Sequence, residues 1–190
     1  MLFVYGDASR ELTNPEESGW GGWCVIDETF YYIEGRWTAL EVESFSITVL
    51  EHIVLEMLTA TMLDVASTLQ GRDGAPRDRI THVHEFSDNT GAEHSSERGK
   101  PGQAQMQAIV QRRYVELRGR DVFTHTDRVT SSDNDVADAL SRGGRMMARG
   151  LAMMRSLGLK LQRVVVEPRR RDTSWLQAEP AQPPKRQRRA

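Results

Sequence analysis

Short apolar and aromatic runs dominate the first forty residues, after which the apolar positions change to a helical spacing. Five segments rich in β-branched and aromatic residues are predicted to be strands: residues 2–8, 19–26, 30–37, 79–86 and 121–126. The short connection Asp27-Glu28-Thr29 between the second and third segments is typical of a hairpin. The chain is therefore predicted to begin with a meander of antiparallel strands.

Three later stretches place apolar residues three or four positions apart and are predicted to be amphipathic helices. They cover residues 43–67, residues 103–118, and a segment that starts after Asn134 or Asp133 as N-cap and extends toward Leu157. The order β-β-β-α-β-α-β-α predicts an α/β fold: a five-stranded mixed sheet with helices on its faces. Such a sheet binds its ligands at the carboxyl ends of its parallel strands.

Length and composition limit the class of protein. The 190 residues, 38% of them hydrophobic, suffice for one domain with an apolar core. No apolar run has membrane-spanning length and the N-terminus lacks a signal-peptide pattern, so we expect no membrane partner and an intracellular location, nuclear or cytoplasmic. The single cysteine, Cys24, excludes an internal disulfide and a cysteine-built metal site.

Charge is distributed unevenly along the chain. In residues 168–190, seven Lys and Arg against Asp172 and Glu179 give +5, so the net charge of −2 leaves −7 for the rest. This Pro-, Gln- and Arg-rich segment is predicted to be a disordered basic tail, either a solvated terminus or a segment that attracts phosphates or directs nuclear import. We expect the folded domain to cover residues 1–150, with an extension of uncertain structure at 151–167.

Four acids fall where the predicted elements could bring them together: Asp7 and Asp88 at the ends of strands, Glu51 in the first helix and Asp138 in the last. Each alone could serve as a cap, a turn residue or a solvated side chain. Clustered together they would repel, unless divalent cations neutralised them. Oxygen ligands without His or Cys suit Mg²⁺ or Mn²⁺, and two such ions about 4 Å apart can assist phosphoryl displacement.

The motifs around these acids resemble the ribonuclease H domain of retroelement reverse transcriptases, in particular retrotransposon forms. The resemblance covers residues 2 to about 144. It rests on Asp7-Ala8-Ser9, Gly19-Trp20-Gly21-Gly22-Trp23, Ile47-Thr48-Val49-Leu50-Glu51, Ser87-Asp88-Asn89-Thr90 and Asn134-Asp135-Val136-Ala137-Asp138-Ala139-Leu140-Ser141-Arg142. Each motif alone is weak, but their order along the chain matches that of the family.

The resemblance implies a ribonuclease H-like fold and a two-metal nuclease that cuts the RNA strand of RNA–DNA hybrids. By that analogy, Asp7 bridges two Mg²⁺ or Mn²⁺ ions. Asp138 helps to hold the ion that activates water, and Glu51 with Asp88 holds the ion on the leaving-group side. All four acids are thus candidate catalytic residues and metal ligands.

Other residues are further candidates for the site. Ser9 and Asn89 are candidate contacts to the 2′-hydroxyls that distinguish RNA. Glu43 competes with Glu51 for the role of helix carboxylate. Many family members carry a His after the fifth strand, and the available residue here, His125, is predicted to lie on the strand itself.

The charge of the body disfavours tight autonomous binding of nucleic acid, although four arginines offer a local positive face: Arg112, Arg113, Arg118 and Arg120. The chain also begins almost within its first strand. The charge favours a module that works beside a polymerase domain, or a degenerate one, and the start of the chain suggests a fragment from which a preceding domain has been cut away. The alternatives are a DNA-directed nuclease of the same fold, such as a transposase or resolvase, and a catalytically silent module that binds nucleic acid or scaffolds a polymerase.

Overall fold

A mixed six-stranded sheet forms the centre of the protein, in a computed structural model that describes residues 1–69, 78–88 and 104–177. The strands are β1 (Leu2–Ser9), β2 (Gly19–Ile26), β3 (Thr29–Arg36), β4 (His82–Ser87), β5 (Phe123–Arg128) and β6 (Lys160–Arg163). They lie in the order β5-β4-β1-β2-β3-β6. The predicted α/β class is confirmed, and so are the five predicted strands; the sixth was not predicted.

The pairing of the strands creates the edge at which ligands are expected. β2 is antiparallel to β1 and β3, as the hairpin pattern predicts. β1, β4 and β5 are parallel to one another, so their carboxyl ends meet at one edge of the sheet. β6 pairs in parallel with β3 at the far side.

Two of the predicted helices are interrupted by local capping interactions. The helices are α1 (Ala39–Ser44), α2 (Ile47–Thr68), α3 (Ala104–Gly119), α4 (Asp135–Arg142), α5 (Gly144–Ser156), α6 (Pro168–Arg171) and α7 (Ser174–Gln177). Phe45 is extended, and the Ser46 hydroxyl accepts the Val49 N–H to start α2 anew. Gly143, at φ 68°, separates α4 from α5 because that conformation favours glycine.

Helices cover both faces of the sheet. The buried α2 packs on β1, β2 and β4, and α4 packs on β2 and β1. Two adjacent glycines of β2 show how closely these helices approach the sheet. A Cβ at Gly21 would collide with Leu140 of α4, and a Cβ at Gly22 would collide with Leu58 of α2. Because successive strand residues point to opposite faces, α2 and α4 lie on opposite sides of the sheet.

The C-terminal region differs from the prediction. A boundary at residue 150 falls inside α5, and residues 160–163 of the expected extension add a strand to the sheet. The prediction of disorder is wrong for residues 168–177, which form α6 and α7. Arg170 is buried there between Asp64 and Glu116, and these two ion pairs compensate for its burial. Residues 178–190 lie outside the described residues.

None of the helices in the described ranges combines the length and the apolar character needed to cross a lipid bilayer.

Candidate active site

Three of the four predicted acids meet at the carboxyl ends of β1 and β4. The parallel register pairs Tyr5 with Phe86, so Asp7 and Asp88, each two residues farther along, reach the same level of the sheet. Glu51 approaches them from α2. Carboxylate oxygens of Asp7, Glu51 and Asp88 all lie within 4.8 Å of one another. Asp7 and Glu51 are each only 5% exposed, whereas Asp88 is half-buried.

A serine hydroxyl donates a hydrogen bond to each of these acids. Ser141 Oγ lies 2.5 Å from Asp7 Oδ2, Ser87 Oγ lies 3.0 Å from Glu51 Oε2, and Ser131 Oγ lies 3.1 Å from Asp88 Oδ2. Hydroxyls orient a carboxylate without cancelling its charge. No ion pair to Asp7 or Asp88 is formed by the residues that the structure describes. The sequence analysis missed these serines, although Ser87 and Ser141 stand within the motifs themselves.

Electrostatics at the site disfavour a full set of ionised acids. Burial raises the pKa of Asp7 from 3.8 to about 7. The hydrogen bond from Ser141 and the charge of Arg142 oppose this shift, whereas the charges of Asp88 and Asp138 add to it. A divalent cation among these oxygens would remove the cost of ionising Asp7. The all-oxygen donor set therefore fits Mg²⁺ or Mn²⁺.

Asp138 stands beside this group rather than within it. It lies on α4, close enough for its charge to raise the pKa of Asp7. Its carboxylate is bound by Arg142 one turn later, with Nε 2.8 Å from Oδ1 and 2.9 Å from Oδ2. The structure thus brings Asp7, Glu51 and Asp88 together and holds Asp138 next to them in an ion pair.

The choice between the two helix acids has a geometric answer. Glu43 is exposed on α1, whereas the buried Glu51 reaches Asp7 and Asp88.

The predicted N-cap residue Asn134 makes no side-chain cap for α4. Its Nδ2 instead donates to the Gly6 carbonyl at 3.3 Å, which ties the start of that helix to β1.

The remaining candidate residues are Ser9, His125 and Asn89. Ser9 Oγ accepts the Gly19 N–H at 2.9 Å and donates to the Ser141 carbonyl at 3.1 Å, so its hydroxyl links β1, β2 and α4. His125 lies within β5, as predicted, and its side chain is 63% exposed. Asn89 lies outside the described residues.

Comparison with known proteins identifies the fold. No family model and no curated protein matches the chain. Among solved structures, the LC11 ribonuclease H1 in complex with an RNA/DNA hybrid aligns at a TM-score of 0.52 and 12% identity, covering 74% of this chain and 93% of that one.

Two further ribonuclease H structures give a TM-score of 0.49 at 18% identity. One is ribonuclease H1 from the halophilic archaeon Halobacterium salinarum NRC-1, over 74% of this chain and 93% of the other. The second is the N-terminal ribonuclease H domain of a Mycobacterium tuberculosis protein fused to maltose binding protein, over 80% of this chain and 99% of the other. On the match to the LC11 structure, the architecture of this chain, a mixed sheet with helices on both faces, is ribonuclease H-like.

Proposed function

We propose that this protein is a metal-dependent endonuclease of the ribonuclease H type, which hydrolyses the RNA strand of RNA–DNA hybrids. The observation that carries the proposal is the convergence of Asp7, Glu51 and Asp88 within 4.8 Å of one another at the carboxyl edge of the sheet. Structural support comes from a neighbour of the same fold that was solved with an RNA/DNA hybrid. The motif resemblance further favours a module of a retroelement reverse transcriptase.

The acids suit a site for two divalent cations, Mg²⁺ or Mn²⁺. Asp7, Glu51 and Asp88 would hold them, with Asp138 as the fourth ligand of the proposed site. When bound, such ions supply an activated water and stabilise the leaving oxygen of the phosphodiester.

The chain's own side chains prepare the acids for this role. Ser141, Ser87 and Ser131 each fix one carboxylate oxygen while leaving the negative charge in place. In the metal-free protein the pKa of the Asp7 carboxyl is about 7, so below neutral pH a cation that binds Asp7 has to displace a proton. Arg142 restricts the rotation of Asp138 and limits the repulsion that this fourth acid adds.

Substrate binding has to work against the charge of the body. A net charge of −7 outside the basic C-terminal segment weakens the attraction to phosphates. We therefore propose that a polymerase domain supplies part of the surface that binds the nucleic acid. Asn89 remains a proposed contact to the 2′-hydroxyl. For Ser9, whose hydroxyl bonds to Gly19 and Ser141, such a contact would require one of these bonds to be exchanged.

The decisive experiment is a cleavage assay on a labelled RNA–DNA hybrid, with matched RNA and DNA duplexes, in Mg²⁺ or Mn²⁺ and with or without chelator. We expect cleavage of the RNA strand in the hybrid only, abolished by chelator. The matched pair of variants is Asp88→Asn, expected to be inactive, and Asp135→Asn, an exposed acid on α4, expected to be active.

Two results would contradict the proposal. Cutting of an all-DNA duplex as fast as the hybrid would favour the DNA-directed nuclease. Binding of the hybrid without cleavage in either metal would favour the silent binding or scaffolding module.

A further inference from the structure

A second group of potential metal ligands lies on β4 and β5, away from the carboxylate cluster. It consists of His84, His125 and Asp127, and one ligand atom from each lies within 4.8 Å of the others. We propose that these three side chains bind a transition-metal ion, with Zn²⁺ as the best fit, independently of the nuclease function proposed above.

The sheet itself brings the three ligands together. The parallel register places His84 directly beside His125. Asp127 is two residues farther along β5 and therefore points to the same face of the sheet. That face is the one opposite Val83 and Glu85, which are buried against the helices.

The donor atoms already converge. Nε2 of His84 lies 2.5 Å from Asp127 Oδ2, and Nε2 of His125 lies 3.0 Å from Asp127 Oδ1. In a tetrahedral zinc site with metal–ligand bonds of about 2.0–2.1 Å, neighbouring ligand atoms are about 3.3 Å apart. These two separations are within about 1 Å of that value. The ligand atoms of the two histidines lie within 4.8 Å of each other, so rotations of the side chains would admit the ion.

Ring packing holds the imidazoles near this arrangement. The His84 ring stacks on Phe86 with the ring centroids 4.7 Å apart, and its centroid lies 5.9 Å from that of Phe3. The two histidine rings are 5.0 Å apart. Restricting the rings in this way lowers the entropy lost when an ion binds, which favours metal affinity.

The chemistry of the donors separates this site from the first one. Two imidazoles and one carboxylate suit Zn²⁺, whereas Mg²⁺ prefers oxygen ligands. His125 and Asp127 are open to solvent, so an ion can enter and water can fill the fourth position. Along β4, His84 is four residues from Asp88, about 13 Å at strand spacing, so neither site needs the other.

The test is a titration of the full chain with Zn²⁺ in millimolar Mg²⁺, after removal of bound metals with chelator. The excess Mg²⁺ keeps the oxygen site from reporting weak Zn²⁺ binding. Binding is followed by calorimetry, and Co²⁺ as a spectroscopic substitute is followed by its visible absorption. We expect the wild type to bind one Zn²⁺ per chain. The Zn²⁺ affinity should be lower by about 10-fold or more in His84→Gln, His125→Gln and Asp127→Asn.

The matched control is His82→Gln, because His82 lies on the same strand and face but its ring contacts Thr81 instead. This variant should bind Zn²⁺ like the wild type. The side chains of His125 and Asp127 are open to solvent, so these residues can be changed without disturbing the core. Circular dichroism verifies that the variants fold.

Absence of stoichiometric Zn²⁺ binding would overturn the proposal, and the triad would then be an ordinary pair of histidine–carboxylate contacts. Equal Zn²⁺ affinity in the wild type, His125→Gln and Asp127→Asn would overturn it as well. Because no cleavage is measured, either failure leaves the proposed nuclease function untouched.

Discussion

Two carboxylates with similarly small exposed areas have pKa values shifted in opposite directions. Asp7 is 5% exposed and Glu41 is 3% exposed. For both, burial acts to raise the pKa. For Asp7 this effect prevails, and the pKa rises to about 7. For Glu41, hydrogen bonds from Arg171, Thr38 and Thr173 and the charge of Arg171 outweigh it, and the pKa falls to about 2.

The partners of the two carboxylates differ in a way that accounts for the direction of each shift. Both guanidinium Nη atoms of Arg171 reach Glu41, at 2.5 and 2.6 Å, and the Thr173 hydroxyl adds a third bond at 2.7 Å. Asp7 instead has a neutral serine donor and acidic neighbours. Glu41 carries its own countercharge and serves the structure, joining the C-terminal helices to α1. Asp7 is left in need of a cation, as expected of a metal ligand.

The largest expected effect is on cleavage by Asp7→Asn. The change removes the charge of one member of the carboxylate cluster while keeping the shape of its side chain. We expect the single-turnover rate on an RNA–DNA hybrid to fall about 10³-fold or more. Glu41→Gln, assayed below its melting temperature, should keep the rate per folded molecule. Retained cleavage in both Asp7→Asn and Asp88→Asn would end the metal-ligand assignment.

Next in size is the loss of stability when Glu41 is separated from Arg171. Glu41→Gln or Arg171→Ala should lower the free energy of unfolding by about 2–4 kcal/mol, because each leaves a charged group with too few partners. Because Glu41 has a lowered pKa, its contribution is complete above pH 4.5 and is lost as the pH falls toward 2. Urea denaturation measures both effects.

The control for this pair is Arg169→Ala. Arg169 is 77% exposed and pairs only at the surface with Glu167. We expect a change of about 0.5 kcal/mol or less. An equal loss in Arg169→Ala and Arg171→Ala would show that the C-terminal helices, rather than the Glu41 pairing, carry the stability.

A smaller effect has the opposite sign: Asp7→Asn should stabilise the metal-free protein at pH 8. The raised pKa means that the native state holds a proton that the unfolded chain gives up, so stability falls as the pH rises from about 4 to about 7. Replacing the acid with a neutral amide removes this loss, about 1–3 kcal/mol. Denaturation in chelator at pH 8 and pH 4 should show the gain only at pH 8, and Mg²⁺ should stabilise the wild type alone.

The smallest expected effect concerns Ser141→Ala. Its hydroxyl lowers the pKa of Asp7, so its removal should raise that pKa further. At Mg²⁺ concentrations below saturation, where protons and Mg²⁺ compete for Asp7, the acidic limb of the cleavage pH profile should move to higher pH by about 0.5–1 unit, with little change at its plateau. Ser156→Ala, an exposed serine on α5, is the control. An unshifted profile would show that Asp7 does not set the acidic limb.

The sequence predicts much of this fold because its signals are local. Hydrophobic spacing within 2–36 and 104–119 already distinguishes strands from helices. The short Lys160–Arg163 strand has no such pattern, since it forms through pairing with β3, more than a hundred residues away. Helix breaks at Phe45 and Gly143 depend on single caps that periodicity does not register.

For the site, the sequence by itself determined which acids end strands, and so which could meet. Only the tertiary structure decided that Glu51 rather than Glu43 faces Asp7, and that residues 168–177 pack instead of remaining disordered. It also decided that Glu41 forms an ion pair with Arg171, whereas Asp7 forms none with a residue in the described ranges. Burial and ionic partners depend on residues distant in the chain, so a linear pattern cannot specify them.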